Sequence, residues 1–172
     1  MKPEGDFDFL RGRWRVVHRR LCKRGAGSTD WEEFEGTAVN CSLLGGFANI
    51  EEHAIAGEDF GGIALRTYSP SSGLWSIYWV SKRDGVLGPP VVGRFSGDVG
   101  SFEGADEDAG RPVEVRFTWH RIDPGSARWS QSFSYDGGDW ETNWIMDFRR
   151  CGGPVALNRS DHRFPAKRLG EP

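Results

Sequence analysis

Apolar and polar residues alternate along most of this chain with a period of two. The clearest run is Trp129 to Arg150, which reads WSQSFSYDGGDWETNWIMDFRR. In its first half Trp129, Gln131 and Phe133 alternate with Ser130, Ser132 and Ser134, as on a strand with two unlike faces. Asp136-Gly137-Gly138-Asp139 tolerates positive φ, so the chain can reverse there. On the way back Trp140, Thr142, Trp144, Met146, Phe148 and Arg150 share one face, and Glu141, Asn143, Ile145, Asp147 and Arg149 share the other. The Trp144/Met146/Phe148 face is read as inward, and this hairpin as the ribbon on which the other strands wrap.

The same pattern recurs from the start of the chain. Asp6 to Leu10 predicts one short helical turn that plugs an end of the fold. Leu10 to Arg19 predicts a strand with Trp14, Val16 and His18 inward, because Arg13, Arg15 and Arg19 belong in water. Further strands are predicted over 31–43, 47–55, 63–68, 74–81, 91–96, 102–105 and 113–122. Trp75, Ile77 and Trp79 share a face in one of them, and Val113, Val115, Phe117 and Trp119 face inward in the last. The facing of 31–43 and 47–55 stays open, because glutamates occur in both phases. Ser69-Pro70-Ser71-Ser72-Gly73, Asp106 to Arg111 and Asp123-Pro124-Gly125 read as turns. About ten strands with hairpin-sized connections and no long helix predict an all-β, antiparallel up-and-down barrel with an internal cavity.

Length and composition fit that reading. The 172 residues suffice for one domain, here expected over 1–150, with 151–172 as a loosely packed or flexible extension. The 24 glycines suit many tight turns, and 8 tryptophans with 11 phenylalanines suit strands around a wide interior. A net charge of −3 gives no electrostatic footprint for nucleic acid. No apolar stretch approaches ~18 residues and no leader is evident, so a soluble, cytoplasmic protein without a membrane partner is expected. Cys22, Cys41 and Cys151 are odd in number and widely spaced, which predicts buried or half-buried free thiols.

Leu10-x-Gly12-x-Trp14 and the late strand ending in Arg149-Arg150 resemble the entry and exit motifs of calycins, the group of lipocalins, fatty-acid-binding proteins and nitrobindin-like domains. The chain resembles most the lipocalin-like DUF1579 class. The resemblance rests on Phe7 to Trp14, on Tyr68-Ser69-Pro70 through Trp75 and Trp79, and on Ser134-x-Asp136-Gly137-Gly138-x-Trp140-Glu141 with Trp144 and Arg149. It implies a calycin-like barrel in which Trp14 packs against Arg150 and closes one end. Trp14 is followed by Arg-Val-Val-His rather than a second Gly-rich step, so the haem binding of nitrobindin-like domains is not implied.

The candidate chemistry lies on the predicted inner faces. Trp79, Phe117, Trp119 and Trp144 would form either a filled aromatic core or the wall of a small-molecule site. His18 and Gln131 are polar residues in phase with apolar neighbours, so each needs a partner, from the protein or from a ligand. Glu51, Glu52 and His53 put one or two side chains inward in either register, which permits acid–base chemistry. The expected ligand-binding set is His18, His53, Trp79, Phe117, Trp119, Gln131 and Trp144. The expected function is binding of a small, largely apolar or aromatic molecule. A cyclase or isomerase acting on a reactive intermediate is the alternative, and haem held by His18 or His53 a third. No cofactor and no metal site is predicted, His120 and His162 are set aside, and a homodimer is left open.

Overall fold

Residues paired across a sheet share a face, so once one strand's inward side is set, pairing carries the choice to its neighbours. The computed structural model describes residues 5–55 and 61–154. It shows ten strands among them: β1 (Gly12–Leu21), β2 (Trp31–Leu43), β3 (Ala48–Ile55), β4 (Gly61–Ser69), β5 (Leu74–Ser81), β6 (Val91–Ser96), β7 (Val99–Asp108), β8 (Arg111–His120), β9 (Ser126–Ser134) and β10 (Trp140–Gly152). Each is antiparallel to the next, and β10 pairs back onto β1, so the sheet closes as an up-and-down barrel. No helix is long and apolar enough to cross a membrane among the described residues.

The start of β1 is inward at Trp14, Val16 and His18, and through pairing this selects Ala38, Gly36 and Phe34 on β2. The same rule settles β3, where Asn49, Glu51, His53 and Ile55 point in and Glu52 points out. On β4 it selects Gly62, Ala64, Arg66 and Tyr68, leaving Ile63 and Leu65 on the outer face. The aromatic core gathers around Phe7, Trp75, Phe102, Trp119 and Phe148, all almost fully buried. Phe7 enters from a 3₁₀ turn at Asp8–Leu10 and packs edge-on against Trp75, with centroids 4.9 Å apart.

Three details depart from the sequence pattern. The acidic run 106–111 is not a turn; β7 and β8 continue to an Asp108–Arg111 pair, and the reversal is confined to Ala109 and Gly110, both at positive φ. Acidic side chains are tolerated in a strand whose outer face is in water, and Asp108 accepts a hydrogen bond from the Tyr135 hydroxyl at 2.7 Å. On β10 a bulge inserts Asn143, because Thr142 pairs with Ser132 but Trp144 already pairs with Gln131. The extra residue inverts the phase before it. Trp140 and Thr142 therefore lie on the outer face with Ser134 and Ser132, and the Arg116 guanidinium stacks 3.8 Å above the Trp140 ring. Asn143, expected outside, is fully buried.

β10 runs to Gly152, two residues beyond the expected domain boundary, and residues 155–172 of the expected extension, with His162, lie outside the described residues. Of the cysteines, Cys41 is buried, whereas Cys22 and Cys151 are exposed; none forms a disulfide.

Candidate functional site

His18 comes from β1, His53 from β3, Trp79 from β5, Phe117 and Trp119 from β8, Gln131 from β9 and Trp144 from β10. All seven line one interior cavity of about 150 Å³, together with Ile77, Arg66, Trp129 and Met146. The seven come from six different strands, and only closure of the barrel brings them to one space. Two glycines make room for the rings. A Cβ on Gly62 would meet the Trp79 indole at 2.5 Å, and one on Gly36 would meet His18 Nε2 at 2.9 Å. The β5–β6 pairing stops after Trp75–Gly93, Ser76–Val92 and Ile77–Val91, so the β5 wall at Tyr78 and Trp79 continues beyond the ladder with β6. A larger groove of about 380 Å³ lies over Arg15, Val17, Glu35, Thr37 and Arg149 on the outer wall, and none of the predicted site residues lines it.

His18 is 2% exposed. It stacks on Phe34, with centroids 4.8 Å apart and planes at 11°, and its Nδ1 accepts from Trp144 Nε1 at 3.3 Å. Burial, then the nearby charges of His53 and Arg20, lower its pKa from 6.5 to about 3, so the imidazole is neutral at physiological pH. A neutral, stacked imidazole binds and orients well, but it is a poor proton donor at neutral pH.

Beside the cavity lies a buried polar cluster that spans β2, β3 and β4. Glu51 Oε1 accepts from Arg66 Nη2 at 2.8 Å and sits 2.7 Å from His53 Nε2. Asn49 Oδ1 accepts from Arg66 Nη1 at 3.0 Å and from Asn40 Nδ2 at 3.2 Å. Glu51 is completely buried, and burial by itself would raise its pKa. The Arg66 guanidinium and His53 overcome that and hold the carboxyl at about 2. Within the wall Gln131 Nε2 donates to Asn143 Oδ1 at 2.9 Å.

Arg66, Asn40, Asn49 and Asn143 were not anticipated. On β4 the apolar phase, Ile63 and Leu65, faces solvent, so the hydrophobic pattern points the wrong way. The available signal is that Gly62 and Ala64 occupy the phase of Arg66, which suits a wall that must leave space for Trp79. Asn143 is visible only through the bulge.

At the end of the barrel nearest the N-terminus, the Arg150 Cζ lies 4.2 Å from the centroid of the Trp14 ring. Its guanidinium donates to the carbonyls of Phe9, Arg11 and Pro124 at 2.6, 2.6 and 2.7 Å. Trp14 Nε1 donates to the Leu10 carbonyl at 2.7 Å. The two residues thereby tie the entering chain to the barrel.

No family model matches the sequence, and no curated protein matches it. Among solved structures the chain is similar to the S-type phycobiliprotein lyase CPES from Guillardia theta. The TM-score is 0.54 at 11% identity, with 88% of this chain and 93% of the lyase covered. The fold is lipocalin-like. A protein of unknown function from the DUF3598 family of Nostoc punctiforme aligns over 88% of this chain and 100% of its own, at 7% identity and a TM-score of 0.27.

Haem does not fit the cavity. A space of about 150 Å³ holds roughly one benzene ring, far less than a four-ring macrocycle. His53 Nε2 is also engaged by Glu51. No group of three His, Cys, Asp or Glu that could hold a metal occurs among the described residues.

Proposed function

We propose that this barrel binds one small, largely aromatic molecule in its interior cavity. The observation that supports this most is the convergence of Trp79, Phe117, Trp119, Trp129 and Trp144 with His18, His53 and Gln131 on one space inside the barrel. Apolar walls with a few placed polar groups are the usual makeup of small-molecule sites. The kinship with the DUF1579 class read from the sequence belongs to the same proposal.

The test uses bromobenzene, a one-ring probe whose heavy atom quenches indole emission on contact. Saturable, single-site quenching is expected, because four tryptophans line the cavity. Quenching that stays linear with concentration, as for free tryptophan, overturns the proposal.

One observation favours a second reading, a cyclase or isomerase. His53 lines the cavity, and Glu51 holds its ring by a 2.7 Å contact. A carboxylate orienting an imidazole is a common arrangement in general acid–base catalysis. The neighbouring lyase is an enzyme by its name, which accords with this reading. Conversion of a bound compound that is lost in His53→Gln while binding persists would favour it.

A further inference from the structure

The wall of the barrel is incomplete on one side. The β5–β6 ladder ends at Ile77–Val91, whereas β7 and β8 stay paired up to Asp108–Arg111. Among the described residues no strand therefore lies between Tyr78–Ser81 of β5 and Ala105–Asp108 of β7. Residues 82–90 join β5 there through one bridge, Val80–Leu87, and the Gly88 N–H donates to the Trp79 carbonyl at 3.0 Å. Two lining residues mark where the interior cavity passes through this stretch of wall. Asp106 is in the inward phase with Phe102 and Gly104 and lines the cavity, and yet it is exposed. Tyr78 pairs with Leu65 in the outward phase and lines the same cavity. An inward residue that meets water and an outward residue that meets the cavity together define a side opening.

The opening decides which end of an occupant can carry charge. The interior, at about 150 Å³, takes one six-membered ring. A charged group among the rings would lose its water at high cost, whereas one beside Asp106 stays hydrated. The lining also sets the sign. Arg66 is matched by Glu51 at 2.8 Å, and His53 Nε2 is engaged by the same carboxylate. His18, its pKa lowered to about 3 by burial, is neutral. Asp106 has no cationic partner among the described residues; its Oδ1 accepts the Glu107 backbone N–H at 2.8 Å. Indole faces likewise attract cations and repel anions. We infer that the cavity is entered sideways between β5 and β7, and that its ligand is an arylalkyl amine with one ring inside, a short stem through the opening and an ammonium against Asp106. The inference rests on the proposed binding function.

Isothermal titration of the whole protein at pH 7 compares 2-phenylethylamine, protonated at that pH, with 2-phenylethanol and 3-phenylpropionate, its neutral and anionic counterparts. The amine is expected to bind up to about fivefold tighter than the alcohol at low salt, the worth of one exposed ion pair. Asp106→Asn should abolish that advantage and leave alcohol binding in place, and salt at about 1 M should do the same. The route is read separately, in a Cys151→Ser background. Asp106→Cys combined with Cys22→Ser, carrying a bulky maleimide at position 106, should slow the onset of bromobenzene quenching in stopped flow. The same label on Cys22, which is exposed just past the end of β1, should not. Alcohol or propionate binding as tightly as the amine, or an amine advantage that survives Asp106→Asn, overturns the cationic ligand. Slowing by the label at Cys22 alone, or at neither position, overturns the side entrance. Either result, with bromobenzene still binding, leaves the binding function standing. Failure of bromobenzene and of all three phenyl compounds overturns both the inference and the proposed function.

Discussion

Arg66→Met removes the cation from a carboxylate that has no access to water. Glu51 is 0% exposed, and Arg66 Nη2 donates to its Oε1 at 2.8 Å. The size of the effect follows from the carboxyl's pKa. Held at about 2 instead of 4.5, it contributes about 3 kcal/mol of stability at neutral pH, at about 1.4 kcal/mol per pKa unit. That agrees with the roughly 3–5 kcal/mol expected when one partner of a buried ion pair is deleted. The direction with pH follows from the lowered pKa. The native state holds Glu51 ionised more firmly than the unfolded chain does, so the contribution is complete above pH 4.5 and is lost as pH falls toward 2. In Arg66→Met, burial is opposed by His53 and by the Asn40 Nδ2 hydrogen bond to Glu51 Oε2 at 3.4 Å, without the guanidinium, and the carboxyl's pKa rises. Urea unfolding followed by tryptophan emission at pH 7, 5 and 3 should therefore show the largest gap between wild type and variant at pH 7, narrowing steadily at lower pH. Glu51→Leu combined with Arg66→Met should recover much of the loss, since apolar replacements of buried pairs are often neutral. A gap below about 1 kcal/mol at pH 7, or one that does not change with pH, refutes the reasoning.

The barrel end and the bulge give two further expectations. Trp14→Ala should cost about 3–5 kcal/mol, since the indole is completely buried. Arg150→Ala should cost less, and the double variant less than the sum; strict additivity in urea unfolding would show that the stacked pair is not coupled. Because the Asn143 bulge puts Trp140 outside against Arg116, Trp140→Ser should cost under about 1 kcal/mol. Phe148→Ala, inside the barrel, should cost about 3–5 kcal/mol, and similar losses for the two would contradict the register shift.

The strands and most of their facings were legible because they depend on local chemistry. Period-two alternation marks Trp14/Val16/His18 and Val113/Val115/Phe117/Trp119 as inner faces, and Gly- and Pro-rich segments mark the reversals. Both are properties of a few consecutive residues. The inward phase of His18 and Gln131 was legible for the same reason. Other features depended on partners distant in the chain. Nothing local distinguishes Glu51 from Glu52; pairing with Asn40 on one side and Ala64 on the other does. Arg66 reads as a surface residue until closure of the barrel turns it toward Glu51, against the apolar phase of its own strand. One inserted residue at Asn143 reverses Trp140 and Thr142, and no local pattern announces an insertion whose only mark is the register with β9. The size of the cavity belongs to the same group. The sequence by itself determined that aromatic and polar side chains alternate on the right strands. Tertiary closure decided how far apart their ends stand, and hence that one ring's worth of space remains, because a volume is set by every strand of the barrel at once.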